Sequence, residues 1–265
     1  NSHLAYLIDA DDKIGNGLYI LNLTSNEIKA LETDTLVYSS LTWNDVDIPK
    51  TEWQKKGNSL AVIKNHEVDS LEHAVSTLLI AKNIDSNPIF TEIDEQSFPD
   101  GMVLSSVRGL TWTSDDESII VGLKEQEKTL SMSKDTIANV DVWHWNDDRI
   151  QTVQKRRLNR DLRFTYAYAV HTNGNQIVKL TDSKIKNLLT STHSEYMVAR
   201  DEAPYTDDVN WGVSPADLYR VDLESGSRKR FAENIKRSLG YSPDGRYFLD
   251  RKSTRLNSSH YGLSR

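Results

Sequence analysis

Short apolar stretches alternate with polar turns along this chain, and two patterns recur. The first is an aromatic residue, a polar turn, and an apolar strand that begins seven residues after the aromatic. Trp53 leads to Leu60, Trp112 to Ile119 and Tyr241 to Phe248, and a degenerate copy runs from Thr190 to Met197. The clearest turn of this set is Ser242-Pro243-Asp244-Gly245. Its proline presets φ, its aspartate bonds the backbone, and its glycine takes a positive φ. The second pattern is a strand, a polar turn and another strand. Residues 18–23 and 28–31 flank the turn 24–27, and residues 218–223 and 228–231 flank the turn 224–227. Residues 166–170 and 176–180 give a third copy, and 76–82 with 88–93 a weaker fourth. Alternation bounded by turn residues predicts hairpins.

The two patterns alternate, so each repeating unit holds about four short strands. The anchors at 53, 112, 190 and 241 lie 59, 78 and 51 residues apart. That exceeds the roughly 40–50 residues of compact repeats, so insertions are expected. One is visible: residues 147–163 lack turn residues and break the strand rhythm, which predicts a helix. Its Ile150, Val153, Leu158 and Leu162 form a loose apolar stripe. The predicted fold is all-β: a partial β-propeller of four-stranded antiparallel blades with one inserted helix near 147–163. Residues 1–249 would hold about three complete blades plus incomplete terminal ones. Other β architectures remain alternatives. An open arc of blades exposes sheet edges and apolar faces, so such a chain alone is expected to be marginally stable.

Composition adds exclusions. Hydrophobic residues at 37% with charged residues at 27% describe a folded globular chain rather than a disordered one. A net charge of −7 disfavours nucleic acid and anionic membrane, which need a basic face. No stretch approaches the roughly 20 apolar residues of a membrane span. The absence of cysteine excludes disulfides and thiolate metal sites. It says little about compartment, since many exported bacterial proteins also lack cysteine; the bacterial periplasm or secretion is slightly favoured over the cytoplasm. The chain starts at Asn1, as either a removed leader or a truncation would leave it. Residues 250–260 match one translated frame of a common sequencing adapter, so 250–265 is expected to be a disordered artefact that cuts a blade short.

Candidate chemistry is sparse. His66-Glu67 and His73 lack the i,i+4 spacing of a zinc-protease helix. His144 lies between Trp143 and Trp145 and on a strand would face opposite to both. The six tryptophans, with Trp43 and Trp211, raise a carbohydrate platform, yet Trp53 and Trp112 occupy the anchor position and are expected to pack between blades. Trp211 is the better candidate for a surface contact. It follows an acidic run, Asp201-Glu202-Ala203-Pro204-Tyr205-Thr206-Asp207-Asp208, that suits either a calcium ion or amine, or a solvated loop. The pairs Asp11-Asp12, Asp115-Asp116, Asp147-Asp148 and Asp207-Asp208 suit turns better than a glycosidase cleft. Lys155-Arg156-Arg157, Arg160 and Arg163 form a basic run expected to make salt bridges with blade loops or another domain.

The segment Asn139-Val140-Asp141-Val142-Trp143-His144-Trp145, with Asp148-Arg149-Ile150-Gln151 and Gln154-Lys155 after it, resembles a stretch in the propeller domains of bacterial prolyl oligopeptidase-like serine peptidases. Residues 165–180, 217–226 and 241–247 are similar too, so the likeness covers about residues 105–249. The resemblance implies a propeller followed by an α/β-hydrolase domain in cis, which would hold the catalytic serine, aspartate and histidine. The propeller would gate access of a peptide substrate by its shape. No catalytic, cofactor-binding or metal-binding residue carries over to this chain, no cofactor is implied, and no Gly-x-Ser-x-Gly string is present. The alternatives are a stand-alone propeller that binds a protein or peptide, and a propeller glycosidase.

Overall fold

The computed structural model describes residues 3–44, 58–129, 140–147, 149–173, 176–192, 194, 196–206 and 215–250. The first sheet is an antiparallel meander of β1 (His3–Ile8), β2 (Asn16–Asn22) and β3 (Ile28–Asp34). The second has four strands in sequence order: β4 (Val37–Trp43), β5 (Ser59–His66), β6 (Val75–Lys82) and β7 (Ile89–Ile93). In the third, β8 (Met102–Ser105) and the two-residue β9 (Thr111–Trp112) both pair with β10 (Ser118–Glu125). The helix α1 (Gln151–Leu162) then intervenes before β11 (Tyr166–His171) and β12 (Ile177–Lys179) complete that sheet. A fourth meander runs through β13 (Asn187–Leu189), β14 (Met197–Asp201), β15 (Ala216–Val221) and β16 (Arg228–Ile235). The fifth sheet pairs β17 (Ser238–Tyr241) with β18 (Phe248–Asp250), so Asp250, read from sequence as the start of an artefact, belongs to a strand. The rest of that tail lies outside the described residues.

By its contacts the chain divides into two compact units, Asn1–Lys128 with Tyr168–Ile177 and Thr129–Ala167 with Val178–Arg265. Each has its own core. In the first, Leu18 and Ile20 of β2 meet Tyr38, Leu60, Val62, Leu79 and Ala81 of the second sheet. In the second, Val198 and Leu218 pack with Phe248, and Leu189 and Tyr241 lie against them. The inner strands are continuous apolar runs. Leu60 to Ile63, Ile119 to Val121 and Met197 to Ala199 are buried at every successive residue, so both faces of those strands are covered. By contrast, β16 carries Arg228, Lys229, Arg230 and Glu233, charges that blunt an outer edge.

The two sequence patterns become two repeated turns. In the Ser242 turn, the Gly245 N–H donates to the Ser242 carbonyl at 2.9 Å and the Ser242 N–H to the Tyr247 carbonyl at 2.7 Å. The Ser242 hydroxyl donates to Asp244 at 2.5 Å and accepts from the Tyr247 N–H at 2.9 Å. The Thr113 turn repeats every bond: Asp116 N–H to Thr113 carbonyl, Thr113 N–H to Ser118 carbonyl, Thr113 hydroxyl to Asp115, and Ser118 N–H to Thr113 hydroxyl. Asp116 at φ 61° stands where Gly245 has φ 69°. The hairpin after β2 and the one after β15 also match. Asn22 and Asp222 each accept two backbone N–H bonds, from Thr24 and Ser25 and from Glu224 and Ser225. Asn26 at φ 56° takes the place of Gly226 at φ 69°.

Register moves one anchor. Trp112 lies opposite Ile119 and Tyr241 opposite Phe248, but the residue opposite Leu60 is Trp43. Asn44 then plays the part of Thr113, exchanging bonds with Ser59 through its N–H at 3.1 Å and its side-chain oxygen at 3.0 Å. The spacing of seven residues that pointed to Trp53 is therefore not the repeat, because a longer connection separates Asn44 from Ser59 here. Trp53 itself lies outside the described residues. The helix also shifts: α1 starts at Gln151 rather than 147, and no residue of it is buried.

Candidate interaction surface

Residues Val140 to Trp145 do not form a strand. Residues 140–144 are irregular and Trp145-Asn146 form a turn. The apolar-polar alternation of Val140-Asp141-Val142-Trp143 has no partner strand among the described residues. What holds the segment is polar. The Asp141 carboxylate accepts from Lys155 Nζ at 2.5 Å and from Gln151 Nε2 at 3.4 Å, two residues one helical turn apart. The bond from Lys155 keeps the Asp141 carboxyl below the usual carboxylate range. Gln154 Nε2 donates to the Arg149 carbonyl at 2.7 Å and to Asp147 at 3.3 Å, tying the first turn of the helix to the loop before it. Lys155, expected in a bridge to a blade loop or another domain, is thus paired within its own segment.

These bonds leave the apolar groups outside. Trp143 is 66% exposed and Trp145 91%, and Val140, Val142, Ile150, Leu158 and Leu162 are all more than half exposed. His144 does not face away from both tryptophans, because without a strand there is no alternation. Its ring stacks on Trp145 with centroids 5.8 Å apart, and its Nδ1 accepts the Asn146 N–H at 3.1 Å. Of the expected stripe, only Val153 is half-buried. Arg149 pairs with Asp161 at 3.5 Å.

The other sequence candidates fall elsewhere. Trp112 is 1% exposed and Trp43 packs at the edge of the first core, so neither offers a face to a sugar. His66 is exposed at the end of β5. His73 sits where its backbone is bracketed by the Gln126 side chain, and burial lowers its pKa. No group of three or more histidine or carboxylate side chains among the described residues is arranged to hold a metal. In the acidic run, Asp201 accepts the Ala203 N–H at 2.9 Å and Glu202 lies 3.6 Å from Arg200. Tyr205 donates to Asp217 at 2.6 Å. Asp207, Asp208 and Trp211 lie outside the described residues. Asp12 and Asp115 each accept a backbone N–H two residues on, as turn aspartates do.

Two polar clusters had no signal in the sequence beyond a lone charge in an apolar run. Lys64, buried on β5, lies 2.9 Å from Glu92, 3.0 Å from Asp34 and 3.4 Å from Glu32. Burial alone would lower the Lys64 pKa, but Glu92 and Asp34 outweigh it and raise it. Asp217 is buried and accepts from Tyr205, from the Asn234 N–H at 3.0 Å and from Arg230 at 3.2 Å. Burial would raise its carboxyl, and these three donors hold it below the ordinary range instead. Both clusters are internally satisfied frameworks.

No protein-family model and no curated protein matches the chain. Among solved structures it is similar to an oligogalacturonate lyase in complex with manganese, with 13% identity and a TM-score of 0.42 over 90% of this chain and 51% of that one. TolB from Acinetobacter baumannii shares 11% identity, with a TM-score of 0.40 over 96% of this chain and 48% of that one. An acylaminoacyl peptidase in complex with Z-Gly-Gly-Phe-chloromethyl ketone shares 14% identity, with a TM-score of 0.44 over 94% of this chain and 33% of that one. The chain thus spans about half or less of each of these three proteins.

Proposed function

We propose that the chain is a non-catalytic portion of a β-propeller that gates peptide access in a prolyl oligopeptidase-like serine peptidase, with the catalytic residues on an α/β-hydrolase domain in cis. The observation behind this reading is the pair of turns that recur in antiparallel sheets along the chain, together with the Asn139 to Lys155 segment that resembles those peptidases. Gating by a propeller is a matter of shape, so it requires no reactive side chain. The test is the source locus read through codon 250, followed by expression of the full reading frame. The expected result is a continuation into a domain with a Gly-x-Ser-x-Gly serine that hydrolyses short peptides and is labelled by a fluorophosphonate. A stop codon soon after a last blade would overturn it.

A stand-alone propeller that binds a protein partner is the second reading, favoured by the exposed indoles of Trp143 and Trp145. A glycosidase is disfavoured, because Asp12, Asp115, Asp182, Asp201, Asp222 and Asp244 each accept a nearby backbone N–H in a turn.

A further inference from the structure

Two exposed surfaces of this chain carry opposite charge and similar apolar content. Residues 140–163 hold six cations against four carboxylates, Asp141, Asp147, Asp148 and Asp161, and the cations gather in the second half, in a chain that is acidic overall. Among the described residues, Arg156, Arg157, Arg160 and Arg163 make no ion pair, and the exposed Trp143, Trp145, Leu158 and Leu162 surround them in sequence. The second surface is the outer strand β7 and the short turn that follows it. Between Lys82 and Arg108 the chain has five carboxylates, Asp85, Glu92, Asp94, Glu95 and Asp100, and no lysine or arginine. There Ile89 is 59% exposed and Phe90 39%, although they lie on a strand. Glu92 is engaged by Lys64, whereas Glu95 and Asp100 are exposed and make no ion pair among the described residues.

We propose that the chain self-associates head to tail, with the 140–163 segment of one copy seated on the β7 edge and acidic turn of a second copy. Indoles beside guanidinium groups are the composition of protein-interface hot spots. Leu158 and Leu162 share one side of α1, but Ile150 and Val153 do not extend that side into a single stripe. An interfacial membrane helix needs such segregation, so a protein surface is the better match. Among the surfaces of this chain, the β7 edge supplies both required elements, carboxylates and exposed apolar side chains. Glu92 on the strand discourages direct strand pairing, so the contact runs through side chains. Because the two faces differ, the contact is heterologous and does not close at a dimer.

Sedimentation velocity of the full chain over a concentration series tests this. At about 0.05 M salt the weight-average mass should rise with concentration, and it should fall back to monomer near 1 M salt, where screening acts within about 3 Å. Replacing Trp143 and Trp145 with serine should weaken association at least tenfold. Arg156→Glu with Arg160→Glu should do the same, and so should Glu95→Lys with Asp100→Lys. Mixing the two charge-reversed proteins should restore a complex of the pair, a readout that misfolding cannot mimic. A chain that stays monomeric at every concentration overturns the proposal. So does an association that ignores both sets of substitutions, or binding of the 140–163 segment to anionic vesicles by a chain that remains monomeric without them.

Discussion

Lys64 shows how a single charge is kept inside an apolar strand. Its ammonium faces three carboxylates from β3 and β7, of which Glu92 reaches solvent. Lys64→Met removes the only cation of that cluster and leaves the carboxylates to repel one another. A loss of about 2 kcal/mol is expected in urea unfolding, less than for a fully buried pair because the carboxylates are partly hydrated. Asp34 and Asp217 have carboxyls held below their ordinary pKa. Their stabilisation is fully present above the unfolded carboxylate pKa of about 4 and is lost as pH falls through the folded values. Melting temperature should therefore be flat from pH 8 to about pH 5 and drop in acid, and Asp217→Asn should shrink the acid drop while lowering the plateau. Backbone demands are as local. Gly226 has φ 69°, and a Cβ there would lie 2.6 Å from the Lys179 carbonyl, so Gly226→Ala should destabilise by about 2 kcal/mol. Asn26, at the matching turn position, should tolerate glycine within about 0.5 kcal/mol by the same thermal melt.

At the scale of elements, the turns carry the repeat. They were legible in the sequence because each is made by residues within six positions of one another, such as Ser242, Asp244 and Gly245. Anchors were legible only where the turn was tight. Trp112 sits seven residues before Ile119, but the longer connection after Trp43 hid its pairing with Leu60 and drew attention to Trp53. Trp112→Ala should cost about 3–5 kcal/mol, and Trp43→Ala less, as befits a partly buried ring; chevron or equilibrium urea curves distinguish the two. The facing of His144 read for a strand does not apply, because Val140 to Trp143 have no neighbour to pair with among the described residues. The start of α1 falls at Gln151 because Ile150, with ψ 149°, is extended backbone. The Lys64 and Asp217 clusters were not legible at all. Each joins residues that sequence order keeps far apart.

At the scale of the molecule, the antiparallel sheets were legible in short apolar runs such as Leu60 to Ile63 and Ile119 to Val121, bounded by turn residues and buried on both faces. Function was less legible for a physical reason: the candidate residues of the sequence fall in separate turns and strands rather than in one constellation. The exposed helix has one further consequence, which a protease would detect. Lys155, Arg156, Arg157, Arg160 and Arg163 lie on or just after an element with no buried residue, whereas Lys64 and Lys124 sit in the strands β5 and β10. Brief trypsin digestion should cut the folded chain between Lys155 and Arg163 before any cut in β5 or β10, as mass spectrometry of the fragments would show. A first cut within either of those strands would mean that α1 is shielded.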